Sequence, residues 1–353
     1  VAAKSYERLE VEERMEKVAF VLVGAGRAGM VHGRNLVHYI PEGELKAVVD
    51  VDAAKAQEAA GELGVRWYTS FDEALEKESF DAVCIASLTF THRDIVEKAA
   101  GAKKHIFCEK PLAQNLEEAL VMKRAVEAAG VKFQIGFMRR YDPEVRRAWE
   151  MVQEGLIGDL VLVKSTGRGP GLPPAWIWDR AKSGGMLAEV SSHDIDAVLW
   201  FVQKKPERVF MEAKNFKSPE ARTQFPDFYD HYLLTIAFLD GPFGVVDGGC
   251  PVGYAYDARM EILGTKGMIR VGETEGRGPV LYTPEKKAVR DTQAGWALRF
   301  RDGYLEELKA FIRAVLADTV PTPSLEDGLR VVRVVEAGHE SLALGQPVAI
   351  KEW

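Results

Sequence analysis

Cysteine is scarce in this chain, and the scarcity removes two chemistries at once. Cys84, Cys108 and Cys250 are the three in 353 residues. They stand far apart, each in an apolar, strand-like context, so they read as small buried hydrophobes in a reducing compartment and not as bridges. A zinc site would call for cysteines or histidines paired at short spacing, and the sequence has no such pair, so no metal is expected. An excess of positive charge is missing too. With 46 Lys and Arg against 53 Asp and Glu, the net charge of -7 argues against nucleic acid or an anionic membrane as a partner. No apolar run approaches the ~20 residues of a membrane span. The first 14 residues, VAAKSYERLEVEER, lack the apolar stretch of a secretory signal. They are expected to be a charged extension, with Met15 an alternative start, and the protein to be cytoplasmic. Internal repeats and low-complexity linkers are also absent. What remains, 47% hydrophobic and 28% charged, is ordinary for a soluble globular protein. A chain this long exceeds most single cores, so two domains are expected.

The stretch from Val18 to Asp50 is the most informative. A continuous apolar run, VAFVLV, enters GAGRAG at Gly24 to Gly29, and AVVD closes at Asp50. Strand, glycine turn, helix start and a second strand tipped by an acid read together as a dinucleotide site. Gly24 permits the tight turn, Gly26 admits a pyrophosphate to the backbone, and Gly29 lets the helix pack on the strand. Arg27 and Ala28 open that helix, whose free N–H groups face the phosphates. Asp50 suits both ribose hydroxyls and repels a 2′-phosphate, so NAD is favoured over NADP.

Beyond Asp50, strands and helices alternate. Helical segments at Ala53 to Gly64, His92 to Ala100 and Leu116 to Ala129 separate the strands DAVCIAS, HIFCEKP and FQIGF. That alternation implies a parallel sheet with right-handed crossovers, whose ligand lies beyond the carboxyl ends of the strands. Those ends carry Ser87, Thr89 and His92 in one loop and Glu109-Lys110-Pro111 in another.

At these motifs the sequence resembles the glucose-fructose oxidoreductase and inositol dehydrogenase family of NAD(P)-dependent sugar and polyol oxidoreductases. The resemblance runs from about Val18 nearly to the C-terminus. GAGRAG, the loop ending in His92, the EKP tripeptide, GGMLAEVSSHDID (Gly184 to Asp196), MEILGTKGMIRV and YLEELKAFIRAV carry it, in that order. It implies that Lys110 is the catalytic lysine and His193 the catalytic histidine. Chemistry agrees, because oxidising a secondary alcohol requires a base within hydrogen-bond reach of the departing hydroxyl proton. Glu189 lies four residues before His193 at helical spacing, which places both on one helix face. The resemblance implies that this position is usually aspartate, so Glu189 is open to two roles, catalytic partner or orienter. His92 fits either a helix cap or a cofactor contact.

The second domain reads differently. LVLVKST, RVFMEAKNF, YLLTIAF, GVVDGG, MEILG and GMIRV follow one another mostly without helices between, which indicates an open, mainly antiparallel sheet. Helices near Pro143 to Glu154, Gly185 to Val202 and Tyr304 to Leu316 are expected to cover one face. The bare face calls for a homodimer or homotetramer. Arg139, Arg140 and Tyr141 follow the last strand of the first domain and read either as a border of the substrate cleft or, for the arginine pair, as a solvated or interface feature. Trp176 and Trp178 suit either the C–H face of a sugar ring or the packing of their own loop. Tyr229, Asp230, Tyr254 and Tyr256 offer groups for hydroxyls.

The expected fold is α/β: an N-terminal Rossmann doubly wound parallel sheet over residues 15–137, then an α+β domain with a large, mostly antiparallel open sheet over 138–353. The resemblance implies an NAD-dependent dehydrogenase acting on a small neutral polyhydroxylated substrate. Two other readings stay open, an NAD-dependent glycosidase working through transient oxidation and elimination, and a non-catalytic sugar-sensing regulator.

Overall fold

Successive side chains of VAFVLV point to opposite sides, and both sides are buried. In β1 (Val18–Val23), Phe20 and Leu22 join a cluster with Leu36, Val48 and Cys84, while Val21 and Val23 join Val83, Ile85 and Val96. A strand covered on both faces belongs inside a parallel sheet. The computed structural model describes residues 16–276, 279–351 and 353. The expected extension of residues 1–14, Met15 and part of the loop at Glu273 to Pro279 lie outside the described residues.

From β1 the chain continues through α1 (Arg27–His38), β2 (Gly43–Val49), α2 (Ala53–Leu63), β3 (Arg66–Tyr68), α3 (Phe71–Lys77), β4 (Ala82–Ile85), α4 (His92–Gly101), β5 (His105–Glu109), α5 (Leu116–Ala129) and β6 (Phe133–Gly136). All six strands are parallel, in the order β3-β2-β1-β4-β5-β6. The direction of winding reverses between β1 and β4, which opens a crevice beyond their carboxyl ends.

A second sheet follows, built from β7 (Leu160–Arg168), β8 (Pro206–Lys214), β9 (His231–Phe238), β10 (Phe243–Gly249), β11 (Asp257–Gly264), β12 (Met268–Val271) and, near the end of the chain, a short strand at Val348–Ala349. The seven run antiparallel to their neighbours except β7 beside β10. Before and between them lie α6 (Pro143–Gln153), α7 (Arg180–Ser183), α8 (Gly185–Val202) and α9 (Pro219–Gln224). Helix α8 is buried almost all round, packed against β7 and β10 on one side and a C-terminal helix on the other. A functional group on this helix is therefore rigidly held.

The C-terminal helices depart from expectation. The segment expected to cover the second sheet from Tyr304 forms part of a helix over Arg301–Leu316 that lies on the first sheet instead. Its Phe311 ring sits 6.1 Å from Phe20 and 5.9 Å from Phe107, with Leu308 and Ile312 in the same cluster. An apolar helical stripe fits the face of any sheet, and here the aromatic partners on β1 and β5 decide. The helix over Leu325–Leu344, not anticipated from the sequence, packs on α8 and β8. Its Gly328 and Gly338 allow this, since a Cβ at either would come within 3 Å of Ile135 or Leu187 side-chain carbons. Glycine here permits close approach and does not break the helix.

Candidate functional site

The three glycines of the first turn have three different physical reasons. Gly24 adopts φ +102°, and a Cβ there would come within 2.6 Å of the Ala86 and Ser87 backbone. At Gly29 a Cβ would lie 1.9 Å from the Gly24 carbonyl oxygen, so only glycine lets α1 leave the strand this closely. A Cβ on Gly26 would meet nothing within 4 Å. Its bareness serves the open space beside it. Helix α1 starts there, at Arg27 and Ala28, with no side-chain cap and no acid in its first turn. Free N–H groups and the positive end of the helix dipole thus border the open space beside Gly26, which fits a pyrophosphate. Asp50 stands at the tip of β2, its two oxygens accepting hydrogen bonds from Ala25 N at 2.9 Å and Asp52 N at 3.0 Å. Those bonds fix the carboxylate and leave lone pairs for ribose hydroxyls. The residues present fit a dinucleotide.

The loop after β4 is knitted by its own hydroxyls. Thr91 donates to the Leu88 carbonyl at 2.7 Å, so in the 2.7 Å contact between Ser87 Oγ and Thr91 Oγ1 the serine donates. His92 is buried, with Nδ1 2.9 Å from the Pro111 carbonyl and Nε2 3.2 Å from that of Ser87. Burial lowers its proton affinity. A neutral ring has one N–H to give, and the shorter contact assigns it to Pro111. His92 thereby ties this loop to the turn that carries Lys110.

Lys110 follows the end of β5. Its backbone N–H donates to Glu109 Oε2 at 3.1 Å, and Glu109 Oε1 lies 2.7 Å from His32 Nε2. Behind them Glu307 is fully buried, and among the described residues neither of its carboxyl oxygens has a hydrogen-bond partner. Burial, then the charge of Glu109, holds the Glu307 carboxyl well above the usual range. Sequence spacing could not show this cluster, because His32, Glu109 and Glu307 come from three distant segments.

Lys110 Nζ reaches across to the second sheet's helix, donating to the backbone carbonyl of Glu189 in α8 at 2.8 Å. His193 lies one turn further along. It is 5% exposed, and among the described residues its buried Nδ1 has no hydrogen-bond partner. Burial, then the charges of Lys110 and Arg139, holds its proton affinity well below that of an ordinary histidine. At neutral pH it is an imidazole with a lone pair to offer. The Glu189 carboxylate does not touch this ring; it accepts a hydrogen bond from Thr89 Oγ1 at 2.6 Å. Burial pushes its carboxyl up to about 7, against the opposing pull of Lys110 and Thr89.

The arginine pair is not solvated, contrary to the sequence reading. Arg139 Nη1 lies 2.5 Å from Asp194 Oδ1, and Arg140 forms a two-pronged pair with Asp196 at 2.6 and 3.0 Å and a further contact to Asp327 at 2.9 Å. All four residues of the two pairs are buried. Asp194 follows His193 directly and Asp196 lies three residues beyond it, so these ion pairs anchor the helix turn that presents it. The signal in the sequence was two acids within an otherwise apolar helix, which must find cations. Trp178 packs its own loop, donating from Nε1 to the Pro173 carbonyl at 3.0 Å with its ring 6.2 Å from Phe228. Tyr229 and Asp230 are also taken internally, the first by His339 and the second by the Phe216 and Lys217 N–H groups.

Comparison with known proteins agrees with this geometry. Residues 18–137 match the oxidoreductase family with an NAD-binding Rossmann fold, and residues 149–350 match its C-terminal alpha/beta domain. A myo-inositol 2-dehydrogenase of Thermotoga maritima is 32% identical over 333 residues, covering 94% of this chain and 98% of that protein. The scyllo-inositol 2-dehydrogenase (NAD(+)) of Bacillus subtilis is 33% identical over 335 residues, covering 95% and 96%. Among solved structures, scyllo-inositol dehydrogenase from Lactobacillus casei with bound NAD(H) and scyllo-inositol superposes with a TM-score of 0.88 at 28% identity, covering 96% of this chain and 100% of that one. With both sheets, both family regions and nearly full-length relatives in agreement, the chain belongs to the glucose-fructose oxidoreductase and inositol dehydrogenase family of NAD-binding oxidoreductases.

Proposed function

We propose that this protein is an NAD-dependent dehydrogenase that oxidises a secondary hydroxyl of an inositol, polyol or sugar, or reduces the matching ketone. The observation that carries this reading is the hydrogen bond from Lys110 Nζ to the Glu189 carbonyl, which brings a strand-end lysine of the first sheet within one helical turn of His193. Gly24, Gly26, Gly29 and Asp50 would hold NAD, which when bound would supply the hydride acceptor. His193, held neutral, accepts the hydroxyl proton. Lys110 spends one donor on α8 and keeps others for the substrate oxygen. Arg139 and Arg140 are both committed to buried ion pairs, so neither serves a substrate phosphate and a neutral ring is favoured. The inositol dehydrogenases among the relatives support the same substrate class. The test is a panel of inositols, aldoses and polyols with NAD and NADP, followed by absorbance at the reduced nicotinamide band. At least one neutral ring should reduce NAD, with NADP slower by about tenfold or more because Asp50 opposes a 2′-phosphate. Silence across the panel would overturn the reading, and product without net reduced cofactor would favour elimination chemistry.

The outer face of the second sheet supports a homodimer or homotetramer. Met268, Leu263, Leu162, Phe243 and Ala237 form one row across five strands, register partner to register partner. Phe243 is 64% exposed and Met268 50%. An apolar row of this length is covered by a second copy in an oligomer. By light scattering, the protein should be larger than a monomer, and Phe243→Glu should reduce its mass; an unchanged mass would place the interface elsewhere. Three unpaired, buried cysteines suit the cytoplasm.

A further inference from the structure

We infer that Glu189 is a positioning residue that latches the cofactor loop to the second domain through the hydrogen bond its carboxylate accepts from Thr89. The inference rests on the dehydrogenase reading above. Four observations support it.

The bond spans 100 residues of sequence, at 2.6 Å, between the turn after β4 and helix α8. Among the described residues, the side-chain hydrogen bonds of Ser87, Thr91 and His92 all stay within the first domain. Thr89 is 3% exposed while its neighbours Leu88 and Phe90 are 41% and 42% exposed. Among the described residues it is the side chain through which this loop hydrogen-bonds to α8.

Side-chain length decides whether the tie exists. An aspartate at this position would be shorter by one methylene, about 1.5 Å, and from the same backbone its oxygens would fall beyond hydrogen-bond range of Thr89. The second methylene of the Glu189 side chain is what spans the gap.

One residue also holds both sides of the proposed site. The backbone carbonyl of Glu189 takes the Lys110 amine while its side chain takes Thr89. Loop and lysine are therefore registered to the same turn of α8, one turn from His193.

The latch responds to pH near neutrality. The groups facing the carboxyl are Thr89 from the loop, Lys110 from the end of β5 and, one turn along its own helix, His193. Ionised, Glu189 accepts a charge-assisted bond, which is stronger and shorter than a neutral one. As pH rises through about 7 the carboxyl loses its proton and the loop is held more tightly.

The experiment is titration of the full-length protein with NAD, followed by tryptophan fluorescence between pH 6 and 8, for the wild type and Thr89→Val, Thr89→Ser, Glu189→Asp and Glu189→Gln. Thr89→Val and Glu189→Asp should each weaken NAD binding by about tenfold, and Thr89→Ser, which keeps the hydroxyl, should stay within about twofold of wild type. Glu189→Gln keeps an acceptor oxygen but cannot ionise, so it should bind NAD at pH 6 like the wild type and lose the tightening at higher pH. NAD affinity unchanged in Thr89→Val, or Glu189→Asp equal to wild type, would overturn the latch while leaving the dehydrogenase reading intact. A wild type that does not bind NAD would instead overturn the dehydrogenase reading, and the latch with it.

Discussion

Lys110→Ala lowers turnover by roughly 10²- to 10⁴-fold, the range lost when a positioned proton-transfer group is removed, with little change in NAD affinity. On the proposed mechanism the two readouts separate because Lys110 would act at the reacting oxygen, whereas the glycine turn and Asp50 would hold the far end of the dinucleotide. Its amine is aimed, not free: the Glu189 carbonyl 2.8 Å away fixes its direction, and the Glu109 carboxylate fixes the backbone it hangs from. Lys110→Arg should not restore the rate, since a planar guanidinium cannot occupy the place of a compact ammonium in so closed a setting. The substitution has a second consequence through His193. Lys110 contributes one of the two positive charges that hold the imidazole's proton affinity down. Removing it raises that affinity, so the acidic limb of the residual rate-against-pH profile should move to higher pH. Steady-state rates of reduced nicotinamide formation across pH, beside a fluorescence titration with NAD, check both. Full turnover in the alanine variant would remove Lys110 from the chemistry.

The features that could be read from the sequence share a property: their causes are local. Gly24 and Gly29 are required by atoms a few residues away or on the adjoining strand, and Gly26 by the absence of any. Strands β1, β4, β5 and β6 announce themselves as apolar runs because both faces of a parallel sheet are covered. Helix α8 shows its apolar residues at helical spacing, and its observed start and end, Gly185 and Val202, are those the pattern predicts. What could not be read depends on which distant segment arrives. The helix over Arg301–Leu316 carries a stripe that fits either sheet, and only the meeting of Phe311 with Phe20 and Phe107 selects one. The three-residue strand at Arg66–Tyr68 is too short for any periodicity to declare. Glu189 and His193 do share a helix, yet spacing alone could not show that the carboxylate would turn to a threonine 100 residues upstream.

Asp194→Asn is the expected counterpart in stability to Lys110→Ala in rate. Asp194 Oδ1 accepts from Arg139 at 2.5 Å and from Ser165 at 2.6 Å, with the whole side chain buried. The other oxygen presses on Gly167, where a Cβ would lie 2.1 Å from it, so the second sheet has given up a side chain to admit this carboxylate. An asparagine occupies the same volume without the charge. It leaves the Arg139 guanidinium buried and uncompensated, and breaking such a pair from one side costs about 3–5 kcal/mol. In a chain of 353 residues that corresponds to a melting temperature lower by roughly 4–7 °C. The comparison that isolates the cause is the double change Arg139→Met with Asp194→Leu, which removes both charges. It should be less damaging than Asp194→Asn alone, because no unpaired ion remains in the core. If thermal melts instead rank the double variant below the single one, the pair stabilises through its own attraction and not by mutual neutralisation. Activity should fall with stability in Asp194→Asn and recover in part in the double variant, because His193 is the preceding residue on the same buried turn and takes its position from whatever anchors it.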